Sequence, residues 1–402
     1  MRRFLIISSF IIFLLLPSQA QTGENLRFRG QASGWVNVNP NNDMPLWTGV
    51  RYIPQLNLDA PLNTDRKFDL ELSANITGSS SIDLPDRFDI DGNIKPYRAW
   101  VRYSASQFEL RLGLQKINFG SASMLRPLMW FDQVDPRDPL QLTDGVWGLL
   151  GRYYFLNNVN IWLWGLYGNR GPKTWEVGET AEKKPEFGGR FQMPVSRGEA
   201  AFSFHHRKAD IGSIVFQFAQ TGNSGSDLSE GDLNNEENPV AGFERIPENR
   251  LGFDAKWDIE IGLWIETAWI HKRKSLGPAT NQHLFTLGAD YTFNIGNGLH
   301  IAAEQIMISM DRDAFQLDNR NNFTALSLSY PVGIFDNVNA IAYRDWTNGN
   351  LYSFVNWHRQ YDRLGLYLMA FWNPETFRLP QQTEAAQMFA GRGFQVMLVF
   401  NH

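Results

Sequence analysis

From residue 26 to the end of the chain, apolar and polar positions alternate with a period of two, the spacing of a strand with two different faces. Eighteen such runs can be read: residues 26–39, 49–58, 67–77, 95–104, 108–117, 148–155, 160–167, 186–193, 199–207, 250–258, 262–272, 284–293, 300–309, 323–330, 337–345, 351–360, 364–373 and 393–401. In Tyr97-Arg-Ala-Trp-Val-Arg-Tyr103 one face holds Arg98, Trp100 and Arg102, and the other Tyr97, Ala99, Val101 and Tyr103. Leu251-Gly-Phe-Asp-Ala-Lys-Trp257 and Phe394-Gln-Val-Met-Leu-Val-Phe400 divide in the same way. Runs 337–345 and 351–360 have no cleanly apolar face, which suggests a bulge.

The connections between these runs alternate in length. Short ones lie at 104–107, 156–158, 194–197, 259–261 and 360–363; long ones lie at 78–94, 118–147, 168–185, 208–249 and 374–392. This predicts an all-β fold: a single transmembrane up-and-down antiparallel β-barrel of about 16–18 strands, with short periplasmic turns and long external loops. A soluble sandwich has no reason to alternate its loop lengths.

Composition fits the same picture. Aromatic residues make up 14% of the chain, with 14 Trp and 29 Phe, yet mean hydropathy is −0.32. After the first twenty residues no apolar run approaches the ~18 residues of a helical span. Strands that put every second residue in lipid account for both facts. The first twenty residues read as a cleaved signal peptide: Arg2 and Arg3, an apolar run from Phe4 to Leu16, then Ser18-Gln-Ala20. The barrel domain is then 21–402, exported to the outer membrane of a Gram-negative bacterium. No Cys is present, which excludes disulfides, a lipidated Cys and thiolate metal sites. Without Arg2 and Arg3 the balance is 35 basic against 42 acidic residues, or −7, which argues against a nucleic-acid partner.

Charge on the polar faces is ordered along the chain. Arg98, Arg102, Arg111, Arg152, Arg190 and Arg207 come first, followed by Asp254, Glu266, Asp290 and Glu304. Closing the sheet would turn this series into a basic wall and an acidic wall lining a pore. The long 118–147 loop adds Asp132, Asp135, Arg137, Asp138 and Asp144. Folded inward, it would form a constriction whose carboxylates face the Arg wall, and the field between them would order water and polar solutes. A plainer reading has the wall charges bracing the sheet as cross-strand pairs. Asp135-Pro-Arg-Asp-Pro139 reads first as two tight turns, and second as a solute contact through Arg137 or Arg126. Among the aromatics, Trp130, Phe131, Trp147, Trp162, Trp164 and Trp264 offer rings on which a polar solute such as a sugar would stack, but most of them suit interfacial girdles, and Trp100 and Trp264 are the best candidates for the lumen.

No catalytic set is apparent. His205 and His206 are adjacent and point to opposite faces of a strand. Asp89-Ile-Asp-Gly92 and the acidic stretch Asp227–Glu237 lack Ca²⁺-ligand spacing. Neither a metal nor a cofactor is expected.

Arg111-Leu-Gly-Leu-Gln-Lys-Ile-Asn-Phe-Gly120, followed by Asp135-Pro-Arg-Asp138, resembles porin-like families of Gram-negative outer membranes, of the alginate-export and phosphate-selective types. Leu114 stands where that pattern often has Arg, and Phe119 where it often has Trp. The resemblance implies a passive channel for small polar or anionic solutes and no enzymatic activity. It also implies contact with outer-membrane lipid, insertion by the barrel-assembly machinery through the C-terminal strand ending at Phe400, and a homotrimer as the assembly to test. Export of an acidic polysaccharide is the rival within transport. A secreted glycan-binding β-protein and an outer-membrane enzyme are the rivals outside it.

Overall fold

The computed structural model describes residues 25–40, 44–83, 87–211, 245–375 and 388–402. The leader at 1–20 and the acidic stretch at 227–237 lie outside these residues. The strands are β1 (Leu26–Val38), β2 (Leu46–Asn63), β3 (Arg66–Asp83), β4 (Arg87–Ser104), β5 (Phe108–Gln115), β6 (Val146–Tyr154), β7 (Asn160–Leu166), β8 (Glu179–Thr180), β9 (Glu186–Val195) and β10 (Gly198–Asp210). After residue 245 come β11 (Ile246–Asp258), β12 (Gly262–Lys272), β13 (Asn281–Phe293), β14 (Leu299–Asp311), β15 (Arg320–Pro331), β16 (Asp336–Asp345), β17 (Leu351–Gln360), β18 (Leu364–Trp372) and β19 (Arg392–Asn401).

Each full strand pairs antiparallel with its chain neighbours, and β19 returns to pair with β1, from Gln31 opposite Asn401 to Val38 opposite Phe394. The result is a closed up-and-down barrel of eighteen strands. The two-residue β8 pairs only with the end of β10. Closure removes the exposed strand edges that an open sheet would carry.

The hydrophobic order is inverted relative to a soluble protein. Outward positions are apolar and exposed, among them Leu112, Phe202, Leu287 and Leu398, while inward positions are polar and buried, among them Arg190, Glu266, Thr286 and Gln395. Period-two alternation produces this directly, since successive side chains leave opposite faces of a strand. Among the described residues no helix is long and apolar enough to cross a membrane. The largest apolar cluster lies inside the barrel, where Phe119, Leu125, Leu128, Met129, Trp130 and Phe131 pack against wall residues such as Trp164, Trp264 and Phe371.

One expectation is corrected. Residues 78–94 are mostly strand, because β3 and β4 pair onward from Thr77 opposite Asn93 to Asp83 opposite Arg87. A hairpin that continues into water on both faces loses its apolar alternation, so its Ser and Asp residues imitate a loop. A register shift does occur, between Ser73 and Ala74 on β3, whereas β16 and β17 pair without one.

Candidate functional site

The segment between β5 and β6, residues 116–145, leaves the wall at β5 and meets the opposite side of the barrel. Gly120 makes the first approach with φ +105°, and a Cβ there would lie 2.5 Å from Glu266 Oε2. Only glycine takes that conformation and that proximity together without strain. The backbone amides of Ala122 and Leu128 donate to Glu266 at 2.8 and 2.6 Å. Those of Ser123, Met124 and Leu125 donate to Glu304 at 2.6, 3.0 and 2.5 Å. Trp264 Nε1 donates to Glu304 at 3.0 Å, and Ser121 Oγ to Asp254 at 3.2 Å. Thr286 Oγ1 donates to the Leu125 carbonyl at 2.8 Å. Gly252 on β11 leaves the hollow that Leu128 and Trp130 fill.

The charges carried by the loop are largely neutralised within it. Arg126 pairs with Asp132 at 2.8 Å, and it also donates to Asn118 Oδ1 and the Phe119 carbonyl. Arg137 grips Asp135 with two parallel bonds of 2.7 and 2.5 Å and lies over the Phe354 ring of β17. Asp138 accepts amides from Leu140 and Leu142, closing a tight turn. Burial pushes the Asp138 carboxyl above its usual range, against the pull of those amides and of Arg51. Asp144 pairs with Lys95 of β4 at 2.7 Å. Asp132 and Asp135 therefore answer Arg126 and Arg137 and do not face the wall Arg. Arg126 and Arg137 are themselves buried and paired, which removes them as solute contacts.

The basic side is laid out as a row near the short-turn end of the barrel. Asp69, Arg102 and Arg111 stand opposite one another on β3, β4 and β5, and Glu109 stands opposite Arg152 on β6. Arg102 pairs with Asp69 at 2.8 Å, and Arg111 with Glu109 at 2.9 Å. Trp100 lies beneath Arg102 and Arg111, with guanidinium carbons 5.4 and 4.8 Å from its ring centroid, and Arg152 covers Trp162 at 3.9 Å. Arg98 lies near enough to Glu71 to feel its charge, and it donates to the carbonyl oxygens of Tyr97 and Thr143. Arg190 crosses β10 to pair with Asp254 at 2.5 Å.

A second loop, 167–185, is also tied down. Glu176 pairs with Arg207 at 3.1 Å and Arg250 at 2.7 Å. Both guanidiniums also pair with Glu248, which Lys272 approaches at 3.6 Å. Burial alone would raise Glu176; Arg207 and Arg250 outweigh it and hold the carboxyl below the usual range. Trp175 Nε1 donates to the Arg126 carbonyl at 2.8 Å, joining the two loops. His205 accepts from Trp164 Nε1 through Nδ1 at 3.2 Å, which leaves its Nε2–H to face Glu186, also at 3.2 Å. His206 points outward to Asn249.

Sequence reasoning missed Glu176, Glu248, Arg250 and Lys272. The alternation Glu248, Arg250, Gly252, Asp254 on one face of β11 was a usable signal. The amides that hold Glu266 and Glu304 leave no signature in residue type.

The described fold matches a solved structure in shape. An OccAB2 structure from Acinetobacter baumannii superposes with TM-score 0.53 at 11% identity, covering 94% of this chain and 98% of that one. The fold is a porin-like barrel. An OmpF from Salmonella typhi in complex with daunomycin (TM-score 0.48, 10% identity, 94% and 97% covered) and an anion-selective porin from Comamonas acidovorans (0.47, 11%, 94% and 99%) are more distant. No family model matches the chain, and no curated protein matches it. Within this porin-like barrel, the inner loop is fastened to the acidic wall over residues 120–128 and to β4 near its end, through Arg98 and Lys95.

Proposed function

We propose that the protein is an outer-membrane channel that passes small polar or anionic solutes by passive diffusion, with the 116–145 loop narrowing its lumen. The observation that carries this reading is the position of the loop. It covers Asp254, Glu266 and Glu304, each no more than 2% exposed. The side chains of Arg102, Arg111 and Arg152 keep 23%, 14% and 17% of their surface. What is less deeply buried is the wall carrying Arg51, Arg102, Arg111 and Arg152 with Glu71 and Glu109, together with Asp290 on the far side, while Arg98 and Asp69 are buried. On that wall four guanidiniums against two carboxylates give an excess of two positive charges. The field of the passage is therefore basic, and not the balanced pair of walls expected from sequence order.

An anion entering the passage meets guanidiniums held in place by Asp69, Glu109 and Trp100, so little rearrangement is needed to replace part of its hydration. The Arg–carboxylate pairs also stop the wall from binding an anion too tightly to release it. Export of an acidic polysaccharide would require a denser, unpaired Arg lining. The leader through Ala20 is removed on export in this reading, Phe400 belongs to the strand read by the assembly machinery, and no reaction is assigned.

Reconstitution in planar bilayers tests the proposal. Discrete conductance steps with a reversal potential favouring anions in a salt gradient are expected. Bilayers that stay silent with correctly folded, heat-modifiable protein would overturn it.

A further inference from the structure

The outer surface over β7 and β9–β12 is not a smooth apolar belt. Strand pairing sets its outward residues in rows. The lowest is Ile161, Phe191, Phe202, Phe253 and Thr267. Above it stand Leu163, Gly189, Phe204, Leu251, Trp269 and His283. Next come Phe187, His206, Asn249 and His271. Lys208 and Pro247 follow, with the Arg273 amide bonded to the Pro247 carbonyl. The surface thus passes from aromatic to imidazole to cationic within four rows.

A groove of about 980 Å³ is sunk into the two lower rows. Its floor is low because Gly189 has no side chain where Leu163 and Phe204 stand on either side. Its sides are Phe191, Phe202, Phe253 and Trp269. Of the seven His residues of the chain, His206 and His271 lie in the row directly above it and His283 at the end of its upper row. His206 and His271 are bonded through Nδ1 to Asn249 and Asn281, and His283 stacks on Trp269 with 3° between the rings. The Ala181 amide donates to the Lys208 carbonyl, and Lys183 and Lys184 follow it in the chain, while the neighbouring Glu179 and Glu182 pair with Arg170.

We infer that this face is a docking site for one phosphorylated, multi-chain lipid of the outer leaflet, its acyl chains in the aromatic groove and its phosphates at the rim formed by Lys184, Lys208 and Arg273. The inference rests on the membrane reading of the barrel. Charge complementarity selects the occupant. The groove matches hydrocarbon, and the cations begin at the end of the strands where the long loops emerge, the height at which outer-leaflet headgroups would lie. A second copy of this chain would have to bring an acidic rim to the same height. A lipid with a neutral headgroup would gain nothing from the cations.

The test uses the full-length protein refolded in detergent, with native mass spectrometry counting bound lipid. Lipid A, which carries two phosphates and several acyl chains, is the probe; phosphatidylcholine and inorganic phosphate are the controls. Wild-type protein is expected to retain one lipid A per barrel. K184A/K208A/R273A should weaken retention at least tenfold, and Thr267→Trp, which fills the groove without altering charge, should weaken it as well. Equal retention by wild type and both variants would overturn the inference, as would phosphatidylcholine binding as well as lipid A, or retention that inorganic phosphate abolishes. An oligomer that Thr267→Trp splits while lipid binding is unchanged would assign the groove to a second copy, and would also overturn it. Heat-modifiable migration and liposome insertion are measured on the same preparations. Failure there removes the membrane reading itself, whereas a folded, inserted barrel with no lipid preference removes only this site.

Discussion

At the scale of single residues, the decisive contacts join backbone amides to two carboxylates. Glu304 accepts three amides, the Ser123 hydroxyl and the Trp264 indole. Replacing it with Ala orphans these donors, each at a cost of roughly 1–3 kcal/mol if they stay buried. Freeing the loop relieves that cost, so Glu304→Ala is expected to raise single-channel conductance and expose Arg126 and Arg137 to trypsin. Unchanged conductance and digestion would mean that the carboxylate does not hold the loop. Gly120→Ala acts on the same contact from the other side. It adds a methyl group against Glu266 at a positive φ, and should produce the same two changes through strain of about 1–3 kcal/mol. The sequence marked Glu266 and Glu304 as inward residues by alternation alone. Their partners were not legible, because a backbone amide belongs to every residue type except Pro. Their neighbour Asp254 was legible for the same reason, but its pairing with Arg190 skips a strand and so escapes any reading of adjacent runs.

At the scale of elements, the strands were legible and the loops only partly so. A strand between two media must repeat every two residues, and this survives in β5, β11, β12 and β19, where Gly113, Gly252, Asp254, Gly262 and Gly393 fall on the inward face. The β3–β4 hairpin was missed beyond residue 77, because where both faces are wet nothing selects for alternation. Loop 167–185 illustrates the opposite difficulty, since its buried charged anchor, Glu176, is one acidic residue in a polar stretch. That anchor makes a pH prediction. The folded-state carboxyl is held low, so its stabilisation is fully present above the ordinary glutamate value of 4.5 and is lost as pH falls through the lower folded value. Asp138 has the reverse sign: its raised carboxyl favours the folded loop most at low pH and progressively less as pH rises. Limited proteolysis across a pH series should find loop 167–185 protected at pH near neutral and cleaved only in acid, below the usual carboxylate range. Release of that loop at or above its ordinary value would place the anchor elsewhere. Arg207→Met is a sharper version. It leaves Glu176 and Glu248 with fewer partners in a buried site, a change that costs on the order of 3–5 kcal/mol, and should lower the thermal midpoint of the barrel.

At the scale of the whole molecule, the question is which charges the passage presents once the inner loop has taken its place. Linear order along the chain supplied a basic wall and an acidic wall, and a barrel brings the two face to face. The loop then takes Glu266 and Glu304 as its support, and Asp132 and Asp135 answer its own guanidiniums. In the proposed channel, what remains is an asymmetric lining whose field is set by β2–β6. Neutralising Arg98, Arg102 and Arg111 together, each to Gln, should lower the anion-to-cation permeability ratio by about twofold or more, since focusing in a narrow passage scales with the fixed charge on its wall. The effect should also depend on salt. Screening lengths shrink from ~10 Å at 0.1 M to ~3 Å at 1 M, so ions crossing at high salt sense only the groups they touch. The wild-type preference for anions should therefore fade as salt rises, and the triple variant should converge on it. If the reversal potential of the variant matched wild type at low salt, the wall Arg would be braces for the sheet alone, and any selectivity would have to come from the loop. If the two differed at low salt and remained equally far apart at 1 M, direct contact and not the field would carry the selection. Convergence with rising salt is the outcome that fits guanidiniums held back by Asp69 and Glu109, close enough to steer an anion and too well paired to keep it.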